Sequence, residues 1–166
     1  MYDELTEVDI KKMEEEIAYR TGELARELGA ELKRTREFGD LSENAEYKEA
    51  KRAKRKNESR VRYLMNMIRT AKIIEPDKTD GIALFDKVTV FNEKLGKEKT
   101  VQIVTTLRQN ALLGYISKES PLGKALLGKK EGDRVFVEVS DEVKYFVRIL
   151  KCERGEDNAE LPISEY

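Results

Sequence analysis

Two carboxylates three residues apart, Asp40 and Glu43, are the residues of this chain whose types and spacing could do chemistry. They lie within residues 38–47, between two long charged segments with helical periodicity. Gly39 followed by these acids indicates a chain that stops, reverses and restarts as a helix. Carboxylates at such a turn can share a hard cation, because Mg²⁺ is held by one or two protein carboxylates together with water and phosphate oxygens. Asp40 and Glu43 would supply only part of that site.

The same spacing also has a purely structural interpretation. In a capping box, the Asp40 carboxylate accepts a hydrogen bond from the backbone N–H of Glu43, and the Glu43 side chain reaches back to the N–H of Asp40. Such boxes commonly open helices, so the spacing alone favours the cap. The two interpretations differ in what they require, since a cap tolerates amides whereas a Mg²⁺ site requires carboxylates.

Two separate blocks of the chain resemble the bacterial Gre-type transcript cleavage factors, the GreA/GreB family. The first block, residues 39–47, is similar to the tip motif of that family. The second block consists of short downstream pieces, namely residues 114–117, 120–122, 125–129 and 132–133, with Val135 after them. Because both blocks occur in the right order and at the right distance, the match is specific, and it covers about residues 5 to 150.

The resemblance implies an accessory factor of bacterial RNA polymerase that is not an enzyme by itself. A helical arm would enter the secondary channel of the polymerase. Asp40 and Glu43, which match the two acidic tip residues of the family, would help to hold a second Mg²⁺ in the polymerase active site. Cleavage of the nascent RNA 3′ end would then rescue backtracked complexes, and no Mg²⁺ is expected on the isolated protein. The residues expected to shape the tip are Gly39, Leu41, Ser42 and Asn44.

Charge is strongly segregated along the chain, although the formal net charge is only −1. Residues 1–31 carry ten acids against four bases, and residues 48–62 carry eight bases against two acids. A charged helix face is usually just solvated, but this excess of bases should attract phosphate. The resemblance implies contact with the extruded RNA by a basic patch, which consists of Lys48, Lys51, Arg52, Lys54, Arg55 and Lys56.

An antiparallel coiled-coil hairpin is predicted to carry these residues. Thr6 and Asp9 suggest a capping box that opens a first helix, and apolar residues then recur at steps of three and four as far as Leu32. That helix is expected to run to Phe38, and a second helix to end near residues 73–74. Each stripe is narrow, but two helices joined by a tight turn can bury each other's stripes.

After the hairpin the periodicity changes to two, which indicates an antiparallel sheet with strands at residues 87–92, 100–104, 134–139 and 144–150. A short helix is predicted from Pro121 to Gly128, with Ser120 as its N-cap. The fold class is therefore α+β with two domains, and the resemblance implies an FKBP-like fold for the second. The predicted division is residues 1–75 for the hairpin with its acidic tip, 76–81 for a linker, 82–152 for the FKBP-like polymerase-docking domain, and 153–166 for a flexible acidic tail.

The second domain is expected to grip the polymerase at the rim of the channel, and Ser117, Ser120 and Pro121 are candidate contacts. Leu122, Leu126 and Leu127 are better explained as core residues. The resemblance has one departure, because residues 105–113 contain no acid where the family usually has an acidic segment. Docking could therefore differ in strength or orientation.

The remaining composition excludes several classes of protein. One cysteine and no histidine exclude an intrachain disulfide and a Cys/His zinc site. No apolar run approaches the length of a membrane span, so a soluble, cytoplasmic protein without membrane contact is expected. The chain is expected to act as a monomer.

Three alternatives remain at this stage. A divergent relative could bind the same channel and inhibit transcription without inducing cleavage, but a blocker would not need both Asp40 and Glu43. The second domain could be a prolyl isomerase, but most of its aromatic residues occupy strand positions expected in the core. The hairpin could also be a coiled-coil binding or chaperone module with an ordinary capped turn.

Overall fold

The computed structural model describes residues 2–37, 44–76 and 80–165. Two compact units make up the chain. One unit, Ile10–Ala71, is the helical arm, and the other, the sheet unit, combines Met1–Asp9 with Lys72–Tyr166. The first nine residues therefore belong with the sheet unit, whereas the sequence placed them in the hairpin.

The arm contains three helices, α1 (Glu7–Thr21), α2 (Glu23–Arg36) and α3 (Ala45–Thr70). The predicted single first helix is interrupted at Gly22, whose backbone has φ −98° and ψ −97°. Glycine suits this position because a Cβ would lie only 2.9 Å from the carbonyl oxygen of Ala18. The capping box at the start of α1 is confirmed, since Thr6 N–H donates to Asp9 Oδ2 at 3.0 Å and Asp9 N–H donates to Thr6 Oγ1 at 3.3 Å.

The predicted stripes do form the inner faces of the arm. Met13 and Leu64 are fully buried, and the α2 leucines are half-buried. α3 buries three further residues that its apolar stripe did not predict, which are Tyr47, Arg60 and Met67. The predicted end of α3 near residues 73–74 was wrong, because the helix ends at Thr70 and the chain then forms a strand.

The sheet unit holds two sheets. In the small one, β1 (Glu4–Leu5) pairs in parallel with β2 (Lys72–Ile73). The large one has the strand order β5-β4-β3-β7-β6. Its strands are β3 (Lys87–Asn92), β4 (Lys97–Val104), β5 (Tyr115–Ser117), β6 (Arg134–Glu138) and β7 (Lys144–Glu153).

The predicted α+β layout is confirmed, with two differences in the large sheet. Three strand pairs are antiparallel as expected, but β5 pairs in parallel with β4. Phe136 and Phe146, expected in the core, are 45% and 37% exposed on the outer face of the sheet, with ring centroids 5.1 Å apart. The predicted short helix is α4 (Pro121–Leu126), and its N-cap is Ser120, whose side chain accepts from Gly123 N–H.

The core of the sheet unit lies on the inner face of the large sheet. Val88, Ile103, Val137 and Ile149 alternate inward from four strands, and Leu126 of α4 packs against them. None of the helices in the described parts of the chain combines the length and the apolar character that a membrane crossing requires.

The C-terminal segment, residues 154–165, packs onto this unit, which differs from the flexible tail expected from its composition. Leu161 joins the core, and Ser164 N–H donates to the carbonyl oxygen of Leu107 at 2.6 Å. Arg108 is fully buried beneath the segment and forms ion pairs with Asp157 and, at 2.7 Å, with Asp9. A buried guanidinium requires carboxylates close to it, so this pairing holds the segment in place.

Replacing Asp157 should therefore destabilise the sheet unit. For Asp157→Ala we expect the free energy of unfolding to fall by about 2 kcal/mol, because a buried guanidinium loses one of its two carboxylates. Glu160→Ala is the matched control, since it removes an exposed acid of the same segment and should change the value by less than about 0.5 kcal/mol. Denaturant unfolding that gives equal midpoints for the two variants would contradict the packing of this segment.

Candidate functional site

The far end of the arm is where α2 ends and α3 begins, and Asn44 joins the two. Asn44 Oδ1 accepts from the N–H of Tyr47 at 3.0 Å, which makes Asn44 the N-cap of α3. Its Nδ2 donates at 2.7 Å to the carbonyl oxygen of Thr35, a fully buried residue of α2. One side chain therefore caps α3 and ties it to α2.

Residues 38–43 connect these two tied helix ends. Asp40 and Glu43, together with Gly39, Leu41 and Ser42, lie outside the described residues. The capping-box interpretation of these acids can be compared with the start of α3. α3 begins at Ala45 with Asn44 as its cap, so the opening of this helix is accounted for without Asp40 or Glu43.

Tyr47 marks the inner side of this end of the arm. It is only 9% exposed, and its ring centroid lies 5.9 Å from Arg36 Cζ and 5.4 Å from Lys51 Nζ. Both cations are therefore held against an aromatic ring. A signal for its burial was available, because Tyr47 precedes Ala50 by three residues and extends the apolar stripe of α3 by one step.

The basic surface consists of the six predicted residues Lys48, Lys51, Arg52, Lys54, Arg55 and Lys56. All of them except the half-buried Lys51 are exposed. Arg52 pairs with Glu49 at 3.5 Å, and both side chains are so exposed that the pair contributes little. Within residues 2–37, 44–76 and 80–165, no carboxylate lies within ion-pair distance of Lys48, Lys54, Arg55 or Lys56. The positive charge of this surface is thus mostly uncompensated.

One base counted in the sequence excess does not belong to this surface. Arg60 is only 6% exposed and pairs with Glu16 of α1, Nε to Oε1 at 2.9 Å. In the parts of the chain with described structure, no group of three or more side chains is arranged to hold a metal ion by itself.

Two protein-family models match consecutive parts of the chain. The model for the N-terminal part of transcription elongation factors matches residues 4–73, and the model for the C-terminal part of transcription elongation factors GreA/GreB matches residues 76–154. The chain belongs to the GreA/GreB family. The C-terminal match stops at Arg154, so most of the C-terminal segment, including Asp157, extends beyond the matched part.

Individual members of the GreA/GreB family are similar over most of their length. The transcription elongation factor GreA of Thermoanaerobacter pseudethanolicus is 42% identical over 81% of this chain and 87% of the relative. GreA of Bacillus licheniformis is 42% identical over 89% and 94%, respectively. Among solved structures, the GreA factor homolog 1 (Gfh1) protein of Thermus thermophilus is 25% identical, covers 93% of this chain and 100% of that chain, and has a TM-score of 0.43.

The predicted docking residues of the sheet unit have local structural roles. Ser117 is 4% exposed, and its Oγ accepts from Glu119 N–H at 3.1 Å. Ser120 is half-buried and donates to the carbonyl oxygen of Ser117 at 2.6 Å besides capping α4. Only Pro121 of the three is exposed. Of these residues, Pro121 alone offers its side chain freely to a partner.

The acid-free segment before Gly114 is an ordered loop. Asn110 and Tyr115 exchange two backbone hydrogen bonds, at 2.8 and 3.0 Å, and Gly114 closes the loop with a φ of +82° that favours glycine. Leu112 and Leu113 are 97% and 65% exposed. The acid-free segment therefore presents two leucines on a braced loop and buries Arg108.

Asn44 should be important for the stability of the arm. We expect Asn44→Ala to lower the free energy of unfolding of the arm by about 1 to 2 kcal/mol, because both the cap and the tie to α2 are lost. Asn44→Asp should recover the cap but not the donor to Thr35, and so should give an intermediate value. Thermal unfolding followed by circular dichroism measures both, and three equal curves would contradict the role assigned to this residue.

Proposed function

We propose that this GreA/GreB member enters the secondary channel of bacterial RNA polymerase and stimulates the polymerase's own cleavage of backtracked RNA. The observation that carries the proposal is the construction of the arm's far end. Asn44 caps α3 and ties it to α2, and residues 38–43, which carry Asp40 and Glu43 of the block that resembles the family's tip motif, connect the two helix ends. Because Asn44 caps α3, the start of that helix does not require Asp40 or Glu43 as a cap.

Asp40 and Glu43 would contribute oxygen ligands, the kind that Mg²⁺ prefers. A Mg²⁺ ion in such a site activates water and stabilises the charge that develops during phosphodiester hydrolysis. The task of the two side chains is to stay ionised and to be delivered at a fixed place. Phosphoryl transfer depends on positioning and charge neutralisation more than on covalent help from the protein. The factor would therefore act without being an enzyme by itself, with the nascent RNA 3′ end as its target.

The basic surface would guide the extruded RNA along the arm. Five of its six bases, all except Arg52, have no carboxylate partner among the described residues, and phosphate groups would neutralise them. Backbone contacts carry no sequence information, so this mode suits a factor that must act on any transcript. The sheet unit would hold the rim of the channel, with Pro121 as its accessible candidate contact.

Removing the two charges of the tip should abolish the activity without unfolding the arm. For Asp40→Asn combined with Glu43→Gln we expect no factor-dependent shortening of 3′-labelled RNA in stalled complexes, because amides do not replace carboxylates on Mg²⁺. Binding of the variant to polymerase, measured by competition with wild type, is the control and should be unchanged. Full cleavage by the variant would exclude the cation role. Wild type that binds but never shortens RNA would leave channel blocking as the function.

Neutralising the basic surface should weaken action on backtracked complexes in a salt-dependent way. For the triple change Lys54→Ala, Arg55→Ala and Lys56→Ala we expect the factor concentration for half-maximal cleavage to rise about tenfold, with a shallower dependence on salt, because fewer phosphate contacts release fewer counterions. The charge-matched control replaces three exposed lysines of the sheet unit, which are Lys94, Lys97 and Lys99. Equal effects of the two triple changes would show that only net charge matters.

A further inference from the structure

Four polar side chains join α1 to α3 inside the arm. Asn57 Oδ1 accepts from Arg20 Nη1 at 3.1 Å, and Asn57 Nδ2 donates to the backbone carbonyl of Arg20 at 2.9 Å. Arg20 Nε donates to Glu16 Oε1 at 2.7 Å. Glu16 also accepts from Arg60 Nε at 2.9 Å and from Arg60 Nη2 at 3.3 Å. We name Glu16, Arg20, Asn57 and Arg60 the polar lock.

The lock lies in the interface and not on the surface of the arm. Asn57 and Arg60 are each 6% exposed. Partial burial opposes ionisation of Glu16, but the hydrogen bonds and charges of Arg60 and Arg20 outweigh this, so the pKa of Glu16 lies below its ordinary value. Glu16 is therefore an ionised hydrogen-bond acceptor at neutral pH, and each member of the lock has a partner on the other helix or on its own.

The apolar contacts beyond the lock specify the alignment of the helices weakly. Toward the far end, α3 offers Tyr47, Ala50 and Ala53 to the interface, and the small side chains of the two alanines pack almost equally well after a shift along the helix axis. The leucines of α2 are only half-buried. The break at Gly22 lies beside Arg20, so the lock also holds α3 against the point where the first helix is interrupted.

Buried polar residues are the usual means by which coiled coils fix register, at some expense in stability. Asn57 is suited to fix the register, because its Oδ1 binds the side chain of Arg20 and its Nδ2 binds the main-chain carbonyl of the same residue. A shift of α3 by one turn would move it about 5.4 Å and would break both hydrogen bonds. An apolar residue at this position would accept either alignment.

We propose that Asn57 is a positioning residue, which fixes the register of α3 against α1 and α2 and thereby sets where residues 38–43 are carried. The inference rests on the proposed function for its consequence, but the register itself is a property of the arm alone. A catalytic group that is misplaced by 1 Å can lose about a hundredfold in rate. A slip of one turn would therefore disable tip carboxylates that are otherwise intact.

The register can be measured directly in the full chain by pulsed electron–electron double resonance, which gives the distance between two spin labels. Spin labels are placed on cysteines that replace the exposed residues Lys33 and Glu49, with Cys152→Ser as background. We expect one narrow distance distribution for the parent protein. For Asn57→Leu we expect a second population displaced by about 5 Å, with helix content unchanged. Asn57→Ala is the second variant, should the leucine variant fail to fold.

Activity separates positioning from stability. At saturating factor, Asn57→Leu should stimulate RNA cleavage about tenfold less than wild type or worse, while its binding to polymerase is retained. The matched control, Val61→Ala, weakens packing on the same helix and should lower thermal stability, with one distance distribution and full cleavage at saturation.

Each outcome decides the inference. A single unshifted distance distribution in both Asn57 variants overturns the register role. Shifted distances with full cleavage at saturation overturn the positioning role. If wild type itself never stimulates cleavage, the proposed function fails, and the distance distributions still decide whether Asn57 fixes the register.

Discussion

A hairpin of helices has one shared interface, and the hydrogen bonds that cross it decide where its far end lies. In this protein those bonds occur at two levels. Asn44 ties the start of α3 to Thr35 of α2, and Asn57 ties the middle of α3 to Arg20 of α1. Between the two levels the contacts are made by Tyr47 and by alanines and half-buried leucines, and the alanines and leucines provide cohesion but little directional information. The polar contacts therefore give the arm a defined length and alignment.

The sheet unit depends on a comparable polar contact. Arg108 is fully buried, and its guanidinium forms ion pairs with Asp9 and Asp157. Asp157 lies beyond the part of the chain that the family models match. The segment after residue 154 and the arginine in the acid-free stretch thus form one structural feature.

Much of the fold could be predicted from periodicity. Apolar steps of three and four located the helices, alternation located β3, β6 and β7, and the Ser120-Pro121 pair located α4. Very short strands and contacts between residues far apart in the sequence were not predicted. β1 and β2 are two residues each, too short to show a period, and Arg108 and Asp157 are far apart in the sequence.

For the candidate site, the sequence supplied the residue types and the resemblance supplied their role. The sequence could not predict which polar side chains form contacts inside the arm. Asn57 lies at a stripe position of α3, and Arg60 was counted in the excess of bases at residues 48–62. A pattern does not reveal that a polar side chain has partners inside a hairpin. Asn44 was expected to shape the tip, and its two hydrogen bonds give that expectation a physical basis.

The central claim is that this arm lends carboxylate oxygens to a Mg²⁺ site of the polymerase. The most direct test is a Mg²⁺ titration of RNA cleavage in a defined backtracked complex, with and without saturating factor. The account predicts that the factor lowers the Mg²⁺ concentration for half-maximal cleavage as well as raising the maximal rate. A higher rate with an unchanged Mg²⁺ requirement, or no change in either quantity, would contradict it.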